Sequence, residues 1–331
     1  MEDITEPNRL PKNRSSASDH LTLPVASKKT IKSPSELQPP RKRGSSENQL
    51  RQTLNIPGLS QKQMDVMPLE ELQTIHMDYT DYIIENDIET TLTNTTDTLD
   101  HLNLESKNLT TGQLLKILGR LTVDQKNQLQ TLNLKNNNLT ILPETIGDFP
   151  ALKGLHLNNT SLGKMPETIG KLSALEILDL TNTRLRILPV TIGNLYALTQ
   201  LLLKDTFLKK LPETIGNLSA LKIFDLDNTP LEKLPDTVGN LSALTRLYLE
   251  NTYLYELPPS IGNLSSLEFL FLKRTDITRL PAEIGNLSNL QIVDIRTTNL
   301  AINIAKADAT SLEALATLRA NGCHVDKITD F

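Results

Sequence analysis

The sequence is poor in the residue types that stabilise small secreted domains. Its 331 residues include one cysteine, Cys323, no tryptophan, six tyrosines and six phenylalanines. A single cysteine excludes an internal disulfide framework. No stretch of about 18 apolar residues occurs, so we expect no membrane-spanning segment. The net charge of −5 gives no reason to expect nucleic-acid binding by the whole chain.

The first 55 residues have the composition of a disordered tail. They contain ten Lys and Arg against six Asp and Glu, a net charge of about +4, and the first 50 include eight serines and six prolines. Few large apolar side chains are present to offset the loss of chain entropy, so we expect residues 1–55 to be disordered. They lack the apolar core of a secretory signal peptide, which predicts a cytoplasmic protein. Residues 39–43 (Pro-Pro-Arg-Lys-Arg) are either a nuclear-import or anionic-surface patch or simply solvated charge.

Residues 56–98 have a helical pattern. Pro68 suits the first turn of a helix, with Glu70 and Glu71 near the positive end of its dipole. An apolar stripe at spacings of three and four follows, formed by Leu69, Leu72, Ile75, Tyr79, Tyr82 and Ile83. No Lys or Arg occurs from Gln63 to Asp100. The segment is either a helical cap over the first repeat or an acidic docking helix, and it can be both.

Residues 99–304 contain an internal repeat. Proline recurs every 23 residues, at positions 143, 166, 189, 212, 235, 258 and 281. The copy that begins at Leu175 reads LEILDLTNTRLRILPVTIGNLYA. Seven regular copies begin at 129, 152, 175, 198, 221, 244 and 267, after an irregular copy at Leu99 and an insert of about one helix over residues 112–128. A fixed period with the pattern LxxLxLxx(N/T)xL predicts a solenoid.

The alternation of leucines predicts one short strand in each copy. In the copy at 175, Leu178 and Leu180 point inward from a strand whose neighbours stack in parallel. We expect positive φ at the glycines of the outer half, at positions 147, 170, 193, 216, 239, 262 and 285. Asn137 is replaced in later copies by threonines, at 160, 183, 206, 229, 252, 275 and 298, and we expect their hydroxyls to donate to carbonyls of neighbouring turns. Residues 305–331 predict a C-terminal cap with a helix over 305–321, a stop at Gly322 and a closing strand over 323–325.

These repeats resemble the leucine-rich-repeat superfamily. The element Leu-Pro-x-x-Ile-Gly-Asn-Leu is similar to the 23-residue class found in plant intracellular Ras-group-type proteins, animal scaffolds that bind small GTPases, and bacterial effectors delivered into host cells. The resemblance implies an α/β solenoid, a horseshoe with a parallel concave β-sheet. It also implies a non-enzymatic module that binds another protein, since most members of that superfamily bind proteins, although the proteins differ widely.

The variable positions beside the inward leucines are the candidate binding residues. Aromatic residues are rare in this chain, yet three fall on outward strand positions, and Phe207, Tyr253 and Tyr255 lie on the adjoining rim. Aromatic residues with Arg are typical interface anchors, but rings on adjacent strands also stabilise each other, so both interpretations stay open. The predicted partner-binding residues are Tyr248, Phe269, Phe271, Leu202, Asp179, Asp225, Asp227, Arg246, Glu250 and Lys273.

Enzymatic and metal functions have weaker sequence support. Cys323, with His324 beside it and Asp326 three positions on, has the residue types of an activated thiol, and some bacterial effectors with similar repeats carry a cysteine-dependent ubiquitin-ligase domain. Adjacent strand residues point to opposite faces, however, and only eight residues follow Cys323. The aspartates Asp179, Asp225, Asp227 and Asp294 have no compact metal-ligand spacing, so we expect no cofactor.

Two protein-binding hypotheses remain. One is an endogenous cytosolic signalling scaffold with a partner of the small-GTPase type. The other, which the Ser-rich leader favours, is a secreted bacterial virulence effector whose residues 1–55 serve as an export signal and whose repeats bind a host protein. In either case we expect a monomer with another protein as its partner.

Overall fold

The computed structural model describes residues 59–74 and 99–326. The chain forms two compact units, residues 1–79 and 80–331. The predictions for residues 1–55, and for the helical stripe beyond residue 74, lie outside the described residues. None of the helices in the described ranges is long and apolar enough to cross a membrane.

In the first unit, the described residues form two short helical segments. Helix α1 (Gln61–Val66) begins with a capping box, in which the Ser60 N–H donates to Gln63 Oε1 at 2.9 Å. Residues 69–74 are helical, and the Pro68 carbonyl accepts the Leu72 N–H at 3.1 Å. Pro68 is therefore the N-cap, one residue before the first turn in which the sequence predicts it, and Leu72 is fully buried.

In the second unit, the described residues form ten parallel strands, which pair in chain order in one sheet. Each strand has three residues: β1 His101–Asn103, β2 Thr131–Asn133, β3 Gly154–His156, β4 Ile177–Asp179, β5 Gln200–Leu202, β6 Ile223–Asp225, β7 Arg246–Tyr248, β8 Phe269–Phe271, β9 Ile292–Asp294 and β10 His324–Asp326. Neighbours pair in register across the 23-residue period, so Leu178 of β4 lies opposite Leu201 of β5. The strands predicted from the leucine alternation are therefore confirmed.

The outer half of each regular copy is a short 3-10 helix. Each begins directly after the repeat proline, whose extended backbone suits the position before a helix. The carbonyl of that proline accepts the first hydrogen bond of the turn; the Pro189 carbonyl, for example, accepts the Ile192 N–H at 3.1 Å. Leucines and isoleucines from both halves fill one continuous core. These helices are Glu144–Asp148, Glu167–Lys171, Val190–Asn194, Glu213–Asn217, Asp236–Asn240, Pro259–Asn263 and Ala282–Asn286.

The insert and the C-terminal cap differ in detail from the sequence predictions. The insert forms two helices, α2 (Thr111–Arg120) and α3 (Val123–Gln128), because Thr122 begins a second capping box. At the other end are α4 (Asn299–Ile302), a 3-10 turn (Ile304–Lys306) and α5 (Ala309–Ala320), which begins at the N-cap Asp308 and not at residue 305. Gly322 has a φ of 87°, as expected of a helix stop, and the closing strand is displaced by one residue from the prediction.

The prediction about the repeat glycines is wrong. The glycine with positive φ in the described residues is Gly322, whereas the repeat positions that adopt positive φ are mainly asparagines, such as Asn159 and Asn182. The repeat glycines instead lie where adjacent copies touch. A Cβ on Gly170 would lie 2.6 Å from both the carbonyl oxygen and the Cβ of Thr191.

The prediction about the threonines is wrong in its acceptor. The hydroxyls are buried, but each donates to a carbonyl of its own turn, as Thr183 does to Leu180 at 2.9 Å. Asn137 does link two turns, since its amide donates to the carbonyls of Leu104 and Leu134 and its oxygen accepts the Leu109 N–H. A threonine hydroxyl has one proton and a shorter reach, so it satisfies the nearest carbonyl.

Candidate functional site

The outward side of the ten-stranded sheet, called the sheet face here, carries the variable residues of the repeat. In most regular strands the central residue is buried and its two neighbours are half-buried, as in Ile177-Leu178-Asp179 of β4. The two residues flanking the central leucine therefore point away from the core, as the sequence predicts.

Three aromatic rings form a cluster on β7 and β8. The ring centroids of Tyr248 and Phe271 lie 4.9 Å apart with an interplanar angle of 9°, and those of Phe269 and Phe271 lie 6.5 Å apart at 4°. The guanidinium carbon of Arg246 lies 5.4 Å from the centroid of Phe269. All three rings are half-buried. Tyr248, Phe269 and Phe271 together are the aromatic patch.

Two carboxylates lie beside the aromatic patch. Asp225 at the end of β6 pairs in register with Tyr248, and Asp227 follows two residues later on the same face. The Asp227 N–H donates to Asp225 Oδ1 at 3.1 Å, and the Glu250 N–H donates to Asp227 Oδ1 at 2.7 Å. Within residues 59–74 and 99–326, neither carboxylate forms an ion pair. Asp225 and Asp227 together are the acidic pair.

The environment of the acidic pair favours the protonated form. Burial raises the pKa of Asp227 to about 7, and repulsion from Asp225 and Glu250 contributes to this increase. The hydrogen bond from the Glu250 N–H and the attraction of Lys204 oppose it. Burial also raises the pKa of Asp225, with Asp205 and Asp179 adding to the increase. The charges that act on the acidic pair are therefore mainly negative, and the positive charge of Lys204 offsets part of the repulsion.

In a later copy, the carboxylate equivalent to Asp225 is neutralised by an arginine. Asp294 corresponds to Asp225 and Arg296 to Asp227 in the 23-residue register. Arg296 contacts both carboxylate oxygens of Asp294, at distances of 2.6–3.1 Å from Nη2 and Nε. The sequence signal for this pair is two opposite charges, Asp294 and Arg296, two residues apart at the end of a strand.

The remaining predicted residues surround these two groups without joining them. Leu202 of β5 lies between Asp179 and Asp225 in the strand register. Lys273 is half-buried just beyond β8. The rim residues Phe207 and Tyr255 contact cations, with the Arg186 guanidinium 5.9 Å and Lys233 Nζ 4.9 Å from their ring centroids. Tyr253 is 62% exposed.

A polar site on β3 was not found from the sequence. Gly154 occupies an outward position, and a Cβ there would lie 3.4 Å from His156 Nε2. His156 Nδ1 and Asn158 Oδ1 are buried with no hydrogen-bond partner. Burial lowers the pKa of His156, and the charge of Lys135 lowers it further. The glycine at an outward strand position was the available signal.

Family models match two parts of this repeat unit. Residues 190–271 match a leucine-rich-repeat region, and residues 128–149 match a leucine-rich repeat. These matches, together with the fold, support the leucine-rich-repeat superfamily. Leucine-rich-repeat proteins generally mediate protein–protein interaction and are typically non-enzymatic binding modules.

Solved leucine-rich-repeat structures have the same fold. A leucine-rich-repeat protein of Leptospira interrogans is similar over 68% of this chain and 59% of its own, with 26% identity and a TM-score of 0.51. The ectodomain of the Arabidopsis thaliana membrane receptor kinase GASSHO1/SCHENGEN3, in complex with CASPARIAN STRIP INTEGRITY FACTOR 2, is similar over 60% of this chain and 24% of its own, with 31% identity and a TM-score of 0.51. The chain thus spans less than two thirds of either structure. No curated protein sequence matches it.

The thiol candidate, Cys323, is not arranged for catalysis. Cys323 is 5% exposed, and burial raises the pKa of its thiol. His324 Nε2 instead lies 2.8 Å from Asp326 Oδ1, on the exposed side of β10. A nucleophilic cysteine requires a lowered pKa and an adjacent base, and Cys323 has neither. In the described ranges, no group of three or more His, Cys, Asp or Glu residues is placed to hold a metal ion.

Proposed function

We propose that this protein binds a partner protein on the sheet face, with the aromatic patch and the acidic pair at the centre of the interface. One observation carries the proposal: three nearly parallel, partly exposed rings occupy outward positions beside two carboxylates that lack an ion-pair partner in the described part of the chain. Elsewhere on the sheet, Asp294 has such a partner in Arg296.

Interface energetics support the choice of this region. Rigid aromatic side chains, with Arg, are the residues whose truncation most often weakens protein complexes. Stacking on adjacent strands holds the rings of Tyr248 and Phe271 in place before a partner arrives, which reduces the entropy lost on binding. The same stacking stabilises the sheet, and the two roles are compatible.

A similar structure also supports a protein partner. The GASSHO1/SCHENGEN3 ectodomain is 31% identical and was solved in complex with CASPARIAN STRIP INTEGRITY FACTOR 2. We infer from this likeness the class of ligand, a protein, and not its identity.

Affinity capture with mass spectrometry tests the proposal. The bait is the full chain, as wild type, as Tyr248→Ala/Phe271→Ala/Asp225→Ala, and as the control Tyr196→Ala, in which the truncated ring is 59% exposed outside the aromatic patch and its rim. We expect a partner that wild type and control retain and that the triple variant loses while its circular dichroism stays unchanged. Retention by all three baits would contradict the proposal.

The secreted-effector hypothesis depends on residues 1–55. Their serine-rich, basic composition motivates it, and a secretion reporter fused to these residues tests it. Export through a bacterial injection system would support an effector, and the absence of export would favour the endogenous scaffold.

A further inference from the structure

We propose that the partner inserts an arginine side chain at the junction of the aromatic patch and the acidic pair, with its guanidinium against Asp225 and Asp227 and its plane against the face of Tyr248 opposite Phe271. This inference rests on the proposed function and names the chemistry of its partner.

The first support is a charge deficit on a partly buried surface. Asp225, Asp227, Asp179, Asp205 and Glu250 act together electrostatically on this part of the sheet. Lys204 attracts both aspartates, but within the described structure it does not form an ion pair with either of them. Like charges on neighbouring positions are unfavourable, and a cation supplied by the partner removes that repulsion.

The second support comes from the protein's own arginines. Arg296 binds Asp294, at the position equivalent to Asp225, through Nε and Nη2. Arg246 places its guanidinium 5.4 Å from the centroid of Phe269. The same sheet face therefore already contains each half of the proposed contact, one on a carboxylate and one on an aromatic ring.

The geometry favours arginine over lysine. The rings of Tyr248 and Phe271 are stacked with their centroids 4.9 Å apart, so Phe271 covers one face of Tyr248. The opposite face of Tyr248 is on the side of β6, where Asp225 pairs with Tyr248 in the strand register. A planar guanidinium can lie along an aromatic face while its fork of donors reaches two carboxylates. An ammonium group is a compact charge and cannot make both contacts equally well.

A peptide selection tests the proposal without knowledge of the natural partner. The probe is a phage-displayed library of random dodecapeptides, selected on the full wild-type chain and counter-selected on Asp225→Asn/Asp227→Asn. We expect enrichment of arginine. In fluorescence anisotropy, the enriched peptide should bind the double variant at least about tenfold more weakly than wild type. Replacing its arginine by citrulline, which keeps the shape and removes the charge, should cause a similar loss.

Two further variants sharpen the test. Asp227→Arg reproduces the Asp294–Arg296 arrangement and should abolish peptide binding in a folded protein. Asp276→Asn, an exposed acid away from the acidic pair, is the matched control and should bind like wild type. Failure to enrich arginine, or equal binding of the citrulline peptide, would overturn the proposal.

The same measurements separate the two proposals. If Tyr248→Ala/Phe271→Ala no longer binds the selected peptide, but the citrulline peptide binds wild type as well as the arginine peptide does, the sheet face is the binding site and the arginine inference is wrong. If neither change matters, both proposals fail.

Discussion

At the scale of single residues, the two carboxylates of the acidic pair repel each other in the native state. Asp225 and Asp227 lie on the same side of the chain, and each accepts one backbone N–H. Those hydrogen bonds favour the charged form, but burial outweighs them and raises the pKa of both carboxyls. The ionised pair therefore destabilises the fold, and we expect its charge to be kept for binding.

This reasoning predicts how the stability of Asp227→Asn depends on pH. Because the native pKa is raised to about 7 from an ordinary value near 4, the native state holds a proton that the unfolded chain releases between these values. The stability of wild type should therefore fall relative to Asp227→Asn as pH rises from 4 to 7, and the difference should stay constant above that. Water screens this partly buried carboxylate, so we expect the free energy of unfolding of Asp227→Asn to exceed that of wild type by on the order of 1 kcal/mol at pH 8.

Urea unfolding of wild type, Asp227→Asn and the control Asp276→Asn at pH 5 and pH 8 measures the effect. A variant that is more stable than wild type at pH 8 yet binds the selected peptide more weakly would separate a binding role from a structural one. A variant less stable than wild type at pH 8 would show that the carboxylate stabilises the sheet.

At the scale of the repeat elements, adjacent 3-10 helices approach so closely that glycine is required. A Cβ on Gly170 would lie 2.6 Å from the carbonyl oxygen and the Cβ of Thr191, and backbone atoms cannot move aside as a flexible side chain can. The hydroxyl of Thr191 also donates to the Glu167 carbonyl of the preceding copy at 2.7 Å, which holds the two turns together.

We therefore expect Gly170→Ala to destabilise the protein by about 1–3 kcal/mol, as overpacking usually does. Gly119 near the end of α2 is the matched control, since a Cβ there meets nothing within 4 Å. Gly119→Ala should be stabilising by about 0.5–1 kcal/mol, because alanine loses less chain entropy in a helix. Thermal unfolding of the two variants gives the comparison, and equal effects would refute the close-contact explanation.

The repeat elements also show what the sequence could predict. Leucine alternation located β1 to β9 and their outward positions, because burial imposes a period of two on any half-buried strand. The closing strand β10 was predicted from the C-terminal cap and lies one residue further on. The role of glycine was missed, because the close approach joins residues 21 apart, such as Gly170 and Thr191, and no local pattern reports it. The threonine acceptor was missed for a related reason, since Asn137 and its replacements differ in reach and not only in polarity. The outward aromatic residues were predicted, but their parallel stacking required the strand register.

At the scale of the whole repeat unit, each copy depends on its neighbours. Strand pairing and contacts between outer helices join consecutive copies in the described structure. A last copy would expose its core, and α5 covers it: Leu318 is fully buried, and Ser311 accepts the Leu280 N–H at 2.9 Å. The aromatic patch on β7 and β8 lies near this end, so the C-terminal cap should influence the binding site.

Leu318→Ala tests this dependence. Removing a fully buried leucine should cost about 2–5 kcal/mol, whereas Leu312→Ala, in the same helix but 44% exposed, should have little effect. Because each repeat contacts only its neighbours, the loss should begin at the C-terminal end and weaken along the chain. Hydrogen exchange should therefore become faster in β8, β9 and β10 and stay unchanged in β2 and β3. Equal loss of protection in all ten strands would contradict nearest-neighbour coupling, because it would mean that the unit unfolds as one cooperative body.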